Sequence, residues 1–122
     1  MATRRQVEAF LSEVGEALSG SGRFLFVKRL AEGKTASSLG LTERNARDVI
    51  RELGPGNYSS GPSSDLTGSG EVWIFGVSIG GVEVYLKLKV FYVEQGGKRL
   101  VYAKCLSFHE AERRMNYPFR SK

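Results

Sequence analysis

Four side chains in the carboxyl-terminal third have the types and the spacing to act on a phosphodiester. Val84, Leu86, Leu88 and Val90 alternate with Tyr85, Lys87 and Lys89, and successive side chains of a β-strand point to opposite faces. The apolar set must face a core. That leaves a phenol and two ammonium groups in a row on the open face. The run Lys98 to Phe108 reads as the next strand, with Leu106 and Phe108 toward the core and Cys105, Ser107 and His109 opposite them. Antiparallel pairing in the expected register brings Ser107 and His109 beside Tyr85 and Lys87. A slip of one residue would turn every side chain to the other face.

Such a set suits cleavage of RNA. The reaction needs a base for the ribose 2′-proton, cations around the charged phosphorane, and an acid for the leaving 5′-oxygen. Histidine can take either proton job near neutral pH, its unperturbed pKa being about 6.5. Lysine stabilises charge that develops in the transition state. On residue types alone the same face also reads as a solvated sheet surface, and His109 as a polar strand end.

The elements that must position these residues follow from periodicity. Between Thr3 and Ser19, Val7, Phe10, Leu11, Val14 and Leu18 recur at spacings of three and four, the stripe of an amphipathic helix. Gly20, Ser21 and Gly22 end it. Arg23 to Arg29 reads as one short strand (near residues 23–28). A turn at Gly33 and Lys34 and a short helical turn from Ala36 to Leu39 come next. Thr42 is the N-cap of a helix whose Ala46, Val49, Ile50 and Leu53 share a face. Gly54 to Gly70 is rich in Gly, Pro, Ser, Asn and Thr and reads as a long loop. Glu71 to Ile79, Val82 to Glu94 and Lys98 to Phe108 are strands, with Gly80-Gly81 and Gly96-Gly97 as hairpin turns. The expected architecture is one α+β domain over residues 1–122: helices through residue 53, loop 54–70, an antiparallel β-meander over 71–109 and a tail over 110–122.

Composition bounds the function. The 122 residues carry 18 Lys+Arg against 13 Asp+Glu, a net charge of +5. Residues 1–64 hold 9 basic and 7 acidic side chains and residues 65–122 hold 9 and 6, so neither half is a basic module. No apolar run approaches the ~20 residues of a membrane span, and Met1 to Leu18 lacks the apolar stretch of a signal peptide. One cysteine, Cys105, excludes an internal disulfide framework. One histidine, His109, leaves few ways to build a metal centre. The expectation is a cytoplasmic domain with no metal, no cofactor and no membrane, and with an anionic partner.

Several stretches together resemble the MqsR-type mRNA-interferase toxins of bacterial type II toxin–antitoxin systems, whose fold is similar to the RelE-like ribonucleases. They are Lys34-Thr35-Ala36-Ser37-Ser38-Leu39-Gly40-Leu41-Thr42 through Val49-Ile50, then Asn57-Tyr58-Ser59-Ser60-Gly61-Pro62 before Asp65, then Val84-Tyr85-Leu86-Lys87-Leu88 followed by Leu106-Ser107-Phe108-His109. Coverage is roughly residues 24–110. The resemblance implies helices on a small antiparallel sheet, metal-independent endonuclease action on mRNA, and neutralisation by a cognate antitoxin; a monomer is one expected form of the free chain, whose oligomeric state the sequence leaves open. It places the family's catalytic tyrosine on Tyr85 and its basic residue after Ser-Phe on His109. The family's Tyr-Lys pair before the sheet falls on Tyr58 and Ser59, so the lysine is missing, and a glutamine of the first meander strand falls near Val72. These departures mark a divergent branch, of which an inactive member is one form. Arg113, Arg114 and Tyr117 of the tail are candidates to supply the lost contacts, since guanidinium grips phosphate with two prongs. Catalysis is thus assigned to His109, Tyr85 and Lys87. RNA contact is assigned to Tyr58, Lys89, Ser107, Arg113, Arg114 and Tyr117.

Two other readings compete. Thr35 to Leu53 has the outline of a helix-turn-helix, with Arg44, Asn45, Arg47 and Arg51 as reading side chains on DNA. A noncatalytic RNA- or protein-binding domain would use Tyr58, Tyr85, Tyr92 and Tyr102 as stacking groups. Tyr92 has the apolar parity of its strand and Trp73 the character of a core anchor. Cys105 reads as a packing residue rather than a nucleophile.

Overall fold

Two capping boxes start the helices of this chain. In the computed structural model, which describes residues 1–27, 41–66 and 68–120, the Thr3 hydroxyl accepts from the Gln6 backbone N–H at 3.1 Å. The Gln6 side chain in turn accepts from the Thr3 N–H at 2.9 Å. Helix α1 then runs over Arg4–Ser19, burying Val7, Phe10, Val14, Ala17 and Leu18. Thr42 and Asn45 repeat the device before α2, Glu43–Arg51, which buries Ala46 and Ile50. Each box satisfies backbone donors that the first turn of a helix cannot pair internally. The end of the strand read to Arg29, the Gly33-Lys34 turn and the Ala36–Leu39 helical turn lie outside the described residues.

Both helices lie on one face of a five-stranded sheet ordered β1-β5-β4-β3-β2. The strands are β1 Phe24–Phe26, β2 Tyr58–Ser64, β3 Glu71–Ile79, β4 Val82–Gln95 and β5 Lys98–Glu110. The last three are the expected meander. Its turns place Gly80 and Gly81, then Gly96 and Gly97, at positive φ, the backbone that matches a tight hairpin to the twist of its strands. Val84, Leu86, Leu88, Phe75, Ala103 and Phe24 are buried beneath α1 and α2. At roughly 25 cal/mol per Å² of apolar surface removed from water, this layer dominates the stability. Trp73 joins it by stacking on Phe10, ring centroids 4.5 Å apart.

The structure corrects the expected architecture in several places. The sheet is mixed, because β1 runs parallel to β5 with Phe24 opposite Ala103; alternation reveals faces but not strand direction. The supposed loop 54–70 contains a 3₁₀ turn, Pro55–Asn57, and the edge strand β2, antiparallel to β3. That strand is Ser- and Gly-rich because much of it faces solvent. Ladder bonds need only backbone groups. Its register breaks twice, and Gly61, at φ +112°, has no room for a side chain: a Cβ there would lie 2.9 Å from the Val72 carbonyl oxygen.

A third correction concerns β5. Lys87 pairs with Ser107 and Leu88 with Cys105, so Leu106 is the extra residue of a β-bulge. Cys105 therefore turns to the core, 2% exposed, instead of sharing a face with Ser107. Leu106 is not the core residue that simple alternation makes it. Tyr92 does lie on the helix side, but it is 43% exposed and its hydroxyl bonds the Glu13 carboxylate of α1 at 2.7 Å.

Three of the four side chains assigned to DNA reading serve the fold. Asn45 closes the α2 cap, Arg51 pairs with Asp48 at 3.0 Å, and Arg47 donates to the Phe24 carbonyl at 3.1 Å while lying over the Phe24 and Phe26 rings. Among the described residues no helix is long and apolar enough to cross a membrane.

Candidate functional site

The face of β4 and β5 away from the helices carries the candidate site. Tyr85 lies opposite His109 and Lys87 opposite Ser107. The Tyr85 and His109 rings stack with centroids 5.0 Å apart and planes 15° from parallel. With Arg113 and Arg114 these four line a cleft of about 530 Å³, and Ser59 and Ser60 of β2 form part of its wall. The register of the two strands brings phenol, imidazole, ammonium and hydroxyl together. The bulge keeps Ser107 and His109 on this face although Cys105, two residues earlier, is in the core.

The tail crosses the sheet end as a strap. The Ala111 N–H donates to the Glu83 carbonyl at 2.8 Å. The Glu83 carboxylate accepts from the Met115 N–H at 3.3 Å and from the Tyr117 hydroxyl at 2.7 Å. Tyr117 passes over Gly76 so closely that a Cβ there would meet its hydroxyl at 2.2 Å. Further on, the Phe119 ring packs against Tyr58, centroids 5.5 Å apart. Arg113 and Arg114 sit at the cleft because the strap is pinned on either side of them.

The hydrogen bonding divides the proton roles. His109 Nδ1 lies 2.9 Å from the Glu110 carbonyl oxygen. A carbonyl only accepts, so Nδ1 carries a proton in this arrangement and the neutral ring keeps Nε2 as its acceptor. Partial burial raises the Tyr85 phenol above its usual value of 10.0. Tyr85 therefore stays protonated near neutral pH and can donate a hydrogen bond, not abstract a proton.

Not every residue assigned to RNA contact reaches the cleft. Tyr58 is 0% exposed. Its hydroxyl donates to the Gly61 carbonyl and accepts from the Ala2 N–H at 3.1 Å, and its ring packs edge-on against Trp73 and Phe75. Once β2 is a strand, its first residue faces the helices, so Tyr58 supports the core and its neighbours Ser59 and Ser60 take the cleft wall. Lys89 is on the correct face but is committed: its Nζ donates to Asp65 at 2.7 Å and to the Ser69 carbonyl, with the side chain 12% exposed. It ties down the β2–β3 connection. Tyr117 holds the strap and is not among the residues that line the cleft. Burial, followed by the Glu83 hydrogen bond, pushes its phenol up to about 12.

Glu83 is the residue that sequence reasoning missed. It shares the parity of Tyr85 on β4, and that alternation was the available signal; what it holds was not visible without the tail. Burial pushes the Cys105 thiol up to about 12, which suits packing and not nucleophilic attack. Among the described residues no group of three or more His, Cys, Asp and Glu side chains is placed to hold a metal ion. Comparison with protein-family models, curated proteins and solved structures finds no match.

Proposed function

We propose that the chain is a metal-independent endoribonuclease, the toxin of a type II toxin–antitoxin pair, built on a RelE-like frame and akin to the MqsR-type interferases. One observation carries this reading: a stacked tyrosine–histidine pair beside a lysine, in an open cleft with two arginines at its rim. Adjacent aromatic rings and cations suit a nucleotide and its phosphate better than an apolar metabolite.

In this mechanism His109 Nε2 takes the ribose 2′-proton. The freed oxygen attacks phosphorus and the P–O5′ bond breaks. Lys87, with Arg113 and Arg114, balances the negative charge of the phosphorane; the Tyr85 hydroxyl gives its proton to the departing 5′-oxygen, and the proton held by His109 returns through solvent to the phenolate. Ser107 orients the phosphate. The products are a 2′,3′-cyclic phosphate and a 5′-hydroxyl. In the cytoplasm a cognate antitoxin covers the cleft with acidic side chains, so its association slows as salt rises.

Incubating the purified chain with unstructured RNA tests the reading. Cleavage leaving cyclic phosphate ends, and its loss in His109→Ala, is the expected result. Intact RNA with the wild-type chain overturns the assignment, and binding without cleavage makes the domain a noncatalytic RNA binder.

A further inference from the structure

Beyond the cleft the same face continues along the hairpin. Alternation after Lys87 places Lys89 and Phe91 on it from β4. From β5 the register sets Lys104 opposite Lys89 and Tyr102 opposite Phe91. The Phe91 and Tyr102 rings are in contact, centroids 5.3 Å apart, and the Lys104 ammonium lies 5.1 Å from the Phe91 centroid. All three side chains are only partly buried. Helices α1 and α2 cover the other face, so packing beneath them does not explain this pair. Partnered β3 residues end opposite Leu88, and among the described residues no strand stands beside the distal hairpin on that side.

We infer that the Phe91–Tyr102 pair with Lys104 is a second binding subsite, for a base and phosphate of single-stranded RNA outside the cleft, so that the strand runs along β4 and β5. This rests on RNA being the ligand of the cleft. At about 3.3 Å per residue, Phe91 lies roughly 13 Å from Lys87, a span that a short run of extended nucleotides crosses. Every base offers a π-face, so an aromatic platform beside a cation holds the strand with little regard to sequence. The cleft carries the chemistry and the distal pair lengthens the grip. A duplex cannot use it, because paired and stacked bases do not splay onto side chains.

Binding by the full-length chain tests this with 2′-O-methyl oligonucleotides, which have no free 2′-hydroxyl and stay uncut. The expected result is that an oligomer of roughly ten nucleotides binds on the order of tenfold or more tightly than a dinucleotide. Phe91→Leu, which keeps apolar bulk and removes the ring, and Tyr102→Ala should each erase most of that gain, while Phe91→Trp restores it. Equal affinity for long and short oligomers, or a length gain that survives both substitutions, overturns the subsite. So does a duplex competing as well as the single strand, or variants that lose a protein partner yet keep the RNA gain. Cleavage of unmodified RNA by the wild-type chain is scored separately: a chain that cuts without the length gain retains the nuclease and loses the subsite, and the converse retains only the subsite.

Discussion

The two faces of β4 share a backbone and differ in everything around them. Val84, Leu86 and Leu88 are fully buried under the helices, while the residues between them, Tyr85 and Lys87, lie on the half-open side. The first set is constrained by volume, because close-packed interiors tolerate little loss. The second carries the groups to which the proposed proton and phosphate chemistry is assigned. A substitution should therefore damage one property and spare the other.

The sharpest contrast is His109→Ala, expected to slow RNA cleavage by about 10²–10⁴-fold, the usual range for a lost proton-transfer group. Its unfolding free energy should stay within roughly 0.5 kcal/mol of the wild type. Kinetics and urea denaturation of the same sample read both. If cleavage loss comes with comparable unfolding, the separation of faces is wrong. Leu88→Ala is the mirror case, costing about 2–5 kcal/mol through the cavity it opens. A denaturation midpoint equal to wild type would contradict the burial of that face.

Alkali should act on the buried side next. An unfolded chain ionises its thiol near 9.0 and the native chain holds the Cys105 proton until about 12. The stabilisation is complete below pH 9 and is lost as pH climbs toward 12. Tyr117 adds a fall of the same sign between 10.0 and about 12. Chemical denaturation across that window should show a declining stability that Cys105→Ala flattens in part; an unchanged slope would deny the thiol its role. Smallest is Tyr58→Phe, which deletes the hydroxyl joining Ala2 to Gly61 and is expected to cost about 1 kcal/mol while cleavage persists. A selective loss of RNA cleavage would return Tyr58 to the site.

Much of this arrangement was legible before the structure. The helix stripe of Val7, Phe10 and Val14, the Thr42 cap and both double-glycine turns followed from period and turn chemistry; the pairing of Tyr85 with His109 did not, because counting from the Gly96-Gly97 turn sets Tyr85 opposite Phe108, and only the bulge at Leu106 brings His109 there. Three further things did not. Tyr58 sits in a strand whose exposed residues are serines, so no apolar alternation announces it. The parallel partner of β5 depends on chain direction, which side-chain pattern does not encode. The strap on Glu83 joins residues thirty-odd positions apart through one carboxylate, and local sequence holds no trace of such a contact. Lys89 shows the limit differently: its face was read correctly and its partner, Asp65, decides its role.

The bulge at Leu106 makes strand length itself a variable. Along an unbroken strand, losing one residue throws everything beyond it out of phase. In β5 the phase already slips at Leu106, so excising that residue leaves Cys105 and Ser107 on opposite sides, each still toward its own environment. β4 has no such slack across the bulge, and deleting Lys87 would drive Tyr85 or Leu88 to the wrong side. Circular dichroism of the two deletion variants should find the first folded and the second not, which makes Leu106 the point where the chain tolerates a change of count better than its paired neighbours do.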